Sequence, residues 1–177
     1  MNVLIHIATG FGVAVAVTDT KKVKTTKDIV KISFVGLFIS IVFHALLDYV
    51  PHCYPINLKI DFIVGLLVLI LLAYFCAKNF RPIMICCLIG SVLPDIVDLL
   101  PSILNNQLGL KLPIYENIFP WHWKEYSGSI YKSNCLVSNI NIGLILLSVI
   151  GVLIMRKTDL KVLYKRSGSR QKNENDK

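Results

Sequence analysis

Apolar and polar positions fall along this chain in long blocks, not in the short periods of a water-soluble fold. Three apolar runs, at 32–50, 60–77 and 139–155, are each about as long as a bilayer crossing requires. A fourth run, at 82–100, is apolar apart from Asp95 and Asp98, and a fifth, at 2–17, is shorter and carries His6. This pattern predicts an all-α fold, a polytopic membrane bundle of about five transmembrane helices. The integral domain would occupy 1–157, with its longest loop at 101–137 and a basic tail at 158–177. That tail ends in a polar, lysine-rich stretch without apolar residues, so it is expected to be disordered. Pro51 predicts a stop for the second helix near Tyr49. Pro94 predicts a kink or a fresh start within the fourth. The short turn at 77–81 makes the third and fourth helices antiparallel neighbours.

Composition agrees with the pattern. Only 17% of the residues are charged, less than a soluble domain of this length carries. The net charge of +8 raises the question of nucleic acid, but the charge lies between apolar runs and in the tail. In a membrane chain such charge reports topology. Lysines and arginines number five at 18–31, one after the second helix, two after the third, three in the long loop and eight from Arg156 onward. With five spans, fifteen fall on one side and four on the other. The expectation is a multi-pass plasma-membrane protein with its N-terminus outside and its tail in the cytoplasm. The run at 2–17 lacks a basic leader and is expected to be a retained helix, not a signal peptide.

This orientation gathers the polar residues. The four histidines, His6, His44, His52 and His122, all fall on the outer side. His6, His44 and Asp95 sit on three different helices, each about 10 Å below the outer surface at 1.5 Å rise per residue. His44 and Asp48, four apart in His44-Ala-Leu-Leu-Asp48-Tyr-Val-Pro-His52, share a helical face. So do Asp95 and Asp98 in Gly90-Ser-Val-Leu-Pro-Asp95-Ile-Val-Asp98. Ionisable groups inside apolar helices normally face a partner or a wet cavity, and two close carboxylates repel unless a cation or proton stands between them. Taken singly, each residue has an ordinary reading: a core histidine at His6, a surface one at His52, an interfacial aromatic belt around His122, and a capped helix end at Asp95. Their shared depth favours a metal site instead. Imidazole with carboxylate suits a divalent metal, zinc first, with manganese or iron as alternatives. Ser91, Glu116 and Glu125 are further polar candidates.

The five cysteines include no Cys-x-x-Cys pair, which disfavours a thiolate zinc site. Cys76, Cys86 and Cys87 read as small apolar fillers. Cys53 and Cys135 fall in loops on one side, where a disulfide is one option and free thiols the expected state.

The segments around His6 and Gly10, His44 to His52, and Gly90 to Asp98 resemble the small bacterial integral membrane proteins grouped as membrane-bound metal-dependent hydrolases. More distantly, the His-x-x-x-Asp spacing resembles zinc-dependent phospholipase C enzymes. The resemblance implies that His6, His44, Asp48, His52, Asp95, Asp98 and His122 are metal-site candidates. Where that family often carries paired late histidines, this chain has Pro120-Trp-His-Trp-Lys124 with one. The expected function is hydrolysis of a phosphoester or a lipid headgroup at the outer face. Asp95 and Asp48 would be the catalytic carboxylates, and a metal would supply hydroxide from water. The expected partners are membrane lipid and a phospholipid or phosphoester substrate, with no nucleic acid. The alternative is a non-enzymatic membrane protein that binds or senses a divalent cation or scaffolds a partner.

Overall fold

A computed structural model describes residues 1–54, 56–130 and 135–165. The fold is all-helical: α1 (Val3–Val17), α2 (Thr26–Tyr49), α3 (Leu58–Phe75), α4 (Arg81–Asp98), α5 (Leu100–Leu108), α6 (Leu136–Met155) and α7 (Lys157–Leu163). Among the described residues of the long loop, a 3₁₀ turn forms at Pro120–His122. Helices α2, α3 and α6 are long and apolar enough to cross a membrane, and α4 with α5 forms a fourth apolar stretch bent by 57°. The remaining apolar helix, α1, has 15 residues and lies at the centre of the bundle. It packs against α2, α3, α4 and α6. Many large apolar side chains of α2, α3 and α6 are exposed, Phe34, Phe38, Ile63 and Leu147 among them. Outward-facing apolar surface on long helices is what a lipid environment accepts.

Local sequence explains the helix ends. Thr25 and Asp28 form a reciprocal capping box at the start of α2: the Thr25 side chain accepts from the Asp28 N–H and the Asp28 carboxylate from the Thr25 N–H. Helix α2 stops at Tyr49, as Pro51 predicts. Pro94 does not interrupt α4, which continues to Asp98; the bend falls at Leu99, two residues before Pro101. A proline loosens one turn without ending a helix whose faces are held by neighbours. Here α4 is held along its length by α1 and α2. Gly90 makes that approach possible, since a Cβ there would collide with the Leu37 carbonyl of α2.

The two ends of the bundle differ. At one end α7 docks under the bundle. The Ala77 N–H donates to the Leu163 carbonyl, the Tyr164 hydroxyl to the Leu72 carbonyl, and Arg156 to the Thr18 carbonyl. The tail is therefore helical over its first residues, where disorder was expected from 158 on; residues 166–177 lie outside the described residues. At the other end the long loop folds back over α2. The Gly128 N–H donates to the Asp48 carbonyl, while the His52 N–H donates to the Gly128 carbonyl and the Ile130 N–H to the His52 carbonyl. Gly128 is required there, because any side chain would strike the Val50 carbonyl. Cys53 and Cys135 are joined by a disulfide at this same end, which replaces the free thiols expected from sequence.

Candidate metal centre

Helix α2 supplies the first two groups. His44 and Asp48, one turn apart, point to the same side, with His44 Nε2 3.1 Å from Asp48 Oδ2. Helix α4 supplies Asp95, whose Oδ1 lies 3.7 Å from His44 Nε2. The 3₁₀ turn supplies His122, whose Nε2 lies 3.3 Å from Asp48 Oδ2, 3.3 Å from Asp95 Oδ1 and 3.5 Å from His44 Nε2. These four ligand atoms all fall within 4.8 Å of one another, an arrangement that can hold a metal ion. Ligand atoms set tetrahedrally around an ion at about 2.0–2.1 Å are about 3.3 Å apart. The five separations above span 3.1 to 3.7 Å.

The second nitrogen of each histidine decides what the first can do. His44 Nδ1 is 2.7 Å from the Ser91 carbonyl, which can only accept, so Nδ1 carries the hydrogen. Neutral His44 then offers a lone pair at Nε2. His122 Nδ1 is 2.8 Å from Asp98 Oδ2, again an acceptor, and the same logic applies. Two imidazole lone pairs and two carboxylate oxygens thus face a common point. Four electron-rich atoms without a hydrogen between them repel, and a positive charge is needed to hold them. Either a proton on His122 or a cation can supply it. Where no cation stands at that point, a proton on His122 Nε2 meets the demand. Burial opposes it, but hydrogen bonds to Asp48, Asp95 and Asp98 outweigh burial and raise the pKa from 6.5 to about 10.

Asp98 is not one of the four. It accepts from the N–H groups of Ile118 and Phe119 at 3.0 Å each, and from His122 Nδ1. One carboxylate therefore both folds the loop and aims the His122 ring, as carboxylates behind metal-binding histidines do. His6 lies beside the cluster, outside the four-atom set. Its ring stacks on His44 at a centroid distance of 4.1 Å, and its Nε2 is 3.2 Å from the other Asp48 oxygen, Oδ1. The approach lacks hydrogen-bond geometry, so among the described residues neither buried His6 nitrogen has a hydrogen-bond partner. The Met1 amino group also reaches Asp48 Oδ1.

His52 stands apart. Its Nδ1 donates to the Val50 carbonyl at 2.8 Å, and its Nε2 meets the Tyr54 hydroxyl at 3.2 Å and the Ser129 hydroxyl at 3.1 Å. These contacts fasten the long loop to the end of α2. Burial first, then the positive Met1 amino group, lower the His52 pKa to about 4, so the ring is neutral at pH 7. Ser91 contributes its carbonyl, while its hydroxyl donates to the Leu88 carbonyl. Glu116 and Glu125 are both exposed.

Sequence reading passed over Asp61. It is fully buried in α3 and accepts from the N–H groups of Val3 and Leu4 at 2.6 and 3.2 Å. It therefore caps α1 and fixes the height of His6, one turn further on. Its signal in the sequence was a lone acid in the apolar run at 60–77.

Comparisons with protein-family models, curated proteins and solved structures give no match for this chain.

Proposed function

We propose that this chain is a membrane-embedded, metal-dependent hydrolase that acts on a phosphoester or lipid headgroup at the outer membrane face. One observation carries the reading: donor atoms from α2, α4 and the long loop meet at one point, and both histidines are held with their Nε2 lone pairs toward it. The residues suit zinc best, since two imidazoles and two carboxylates at these spacings match its ligand preferences. A divalent cation in such a site lowers the pKa of bound water and polarises a phosphoryl oxygen.

In this reading His44, Asp48 and His122 form the fixed part of the site. Their side chains are 0%, 6% and 6% exposed. Asp95, at 19%, is the ligand nearest to solvent. It is the one that can yield a position to water or substrate and take a proton from it. The outer placement is supported twice. Lysines and arginines are concentrated in the loops and tail of the opposite end. The Cys53–Cys135 disulfide lies at the site's end, and such bonds persist in oxidising compartments.

A second reading has an observation in its favour. Catalytic zinc sites usually keep three protein ligands and an open position, whereas structural sites are closed by four. Four protein donors converge here. A closed site would make the chain a cation-binding or cation-sensing protein without turnover. The test has two stages. Metal content of detergent-purified protein is measured for the native chain and for Asp48→Ala and Asp95→Ala. The metal reading requires loss of the ion in Asp48→Ala, and unchanged content would end it. Hydrolysis of soluble phosphodiesters and of phospholipids is then assayed in native protein and in Asp95→Ala. Turnover lost with Asp95 supports the hydrolase; a metal-loaded native chain inert on the whole panel supports the sensor.

A further inference from the structure

A groove of about 530 Å³ runs along the outward face of α2 beside the centre. Its floor is Phe38, Val42, Ala45 and Tyr49, and its upper wall is Pro120, Trp121 and Tyr126 from the long loop. Positions 38, 42, 45 and 49 recur at helical spacing, so they form one stripe. The stripe is about 16 Å long at 1.5 Å per residue, about half of a 30 Å hydrocarbon core.

The composition of the groove changes along that length. Its deep part is Phe38 and Val42, wholly apolar. Its outer part holds Tyr49, Trp121 and Tyr126, rings that pair an apolar body with a polar tip and belong where acyl chains meet headgroups. The outer part also adjoins the metal centre. Trp121 precedes His122 in the chain, and its ring lies 6.3 Å from that of His44. Ala45 follows His44 on α2 and lines the groove with a small side chain.

We propose that this groove is the acyl-chain subsite of the centre, and that its ligand is a bilayer phospholipid entering sideways from the outer leaflet. The inference rests on the hydrolase reading for the word substrate, and on the groove alone for the binding. The lipid is favoured over a water-soluble ester by the position of the groove. It opens on the lipid-facing side of a membrane-crossing helix, where acyl chains are the surrounding medium. Its lining is apolar from end to end, as an acyl chain requires, and its outer end, at Trp121, meets the cluster where a headgroup would lie. One chain of one leaflet matches its length.

The test uses full-length protein in vesicles of phosphatidylethanolamine and phosphatidylglycerol, doped with a phospholipid that carries a diazirine on one acyl chain. Illumination and peptide mapping should place adducts in 38–49 and 120–126 at several times the level on the outward faces of α3 and α6. Val42→Trp, which fills the groove two positions before His44 and is not one of the four converging donors, should lower the groove adducts about five-fold or more with metal content unchanged, and Ala45→Trp, the position after His44, should lower them as well. Equal labelling of α2, α3 and α6, or no loss in Val42→Trp, overturns the proposal. A second arm compares turnover. Val42→Trp should slow long-chain phospholipid hydrolysis about ten-fold while a soluble phosphodiester stays within about two-fold. Equal slowing of both would overturn a chain-binding role. The labelling arm needs no turnover, so a chain that labels as expected but hydrolyses nothing refutes the hydrolase and upholds the lipid site. If Val42→Trp does not fold, Ala45→Trp serves in its place at the same stripe.

Discussion

Both ends of this bundle bury a carboxylate among polar neighbours, and the two are solved in opposite ways. At the basic end, Asp159 receives donors: the Thr20 N–H at 2.9 Å, the Thr20 hydroxyl at 2.7 Å and an ion pair with Arg156 at 3.3 Å. Burial works against its charge, but the Thr20 bonds and Arg156 outweigh it and hold the carboxyl below its usual range. At the other end Asp48 and Asp95 meet two imidazole nitrogens whose own hydrogens are already committed elsewhere. The first arrangement is complete as it stands and closes a loop. The second has the Met1 ammonium on the far oxygen of Asp48, and at the point where the four donor atoms meet it can take either a proton on His122 or a cation.

The contrast breaks first and most widely at Asp48. It touches His44, His122 and His6. Asp48→Asn should abolish stoichiometric metal binding, a drop in affinity of about 100-fold or more, as seen by metal analysis after gel filtration. Asp159→Asn should leave metal content unchanged and lower thermal stability instead. If both variants lose metal equally, the distinction between the ends fails.

Asp98→Asn comes next. Asp98 aims His122 without being one of the four converging donors, so metal affinity should fall about 10- to 100-fold without disappearing. Competition with a chromogenic chelator measures this. Loss as complete as for Asp48→Asn would make Asp98 a ligand.

Proton competition should be smaller and graded. With the His122 pKa raised to about 10, a cation on Nε2 must displace a proton near neutral pH. Affinity should therefore rise with pH by up to about ten-fold per unit between pH 7 and 9, and calorimetry in buffers of different ionisation heat should detect proton release. A flat profile would mean that His122 takes no part.

Thr20→Ala removes the hydroxyl from Asp159 and should cost about 1–3 kcal/mol with metal binding intact. The smallest effect belongs to His52. Its folded pKa of about 4 lies below the ordinary 6.5, so the unfolded chain takes up a proton that the folded one refuses. Stability should fall as the pH drops from about 6.5 to about 4, and His52→Gln should flatten that slope while keeping the metal. Loss of metal in His52→Gln would return this histidine to the site.

What the sequence revealed follows from periodicity. His44 and Asp48 are one turn apart on a helix whose end Pro51 marks, so their shared face was legible. The depth of Asp95 followed from the length of an apolar run. The roles of His52 and Asp98 were not legible, because they depend on the path of a loop with no period. That path is set by Gly128 against Val50 and by the two N–H groups on Asp98. The same loop carries His122 back across 74 positions to Asp48. The bend at Leu99 in place of Pro94 has a similar cause, since packing by α1 and α2 overrides a local preference. Cys53 and Cys135 are 82 positions apart, and no spacing rule pairs cysteines at that distance.

The central claim is that two imidazoles and two carboxylates hold one cation. X-ray absorption at the metal edge of purified, full-length protein tests it most directly. The account predicts about four nitrogen and oxygen neighbours at about 2.0–2.1 Å, with outer scattering from two imidazole rings. A chain purified without a divalent metal and unable to take one up, or an ion whose neighbours are sulfurs at about 2.3 Å, would contradict it.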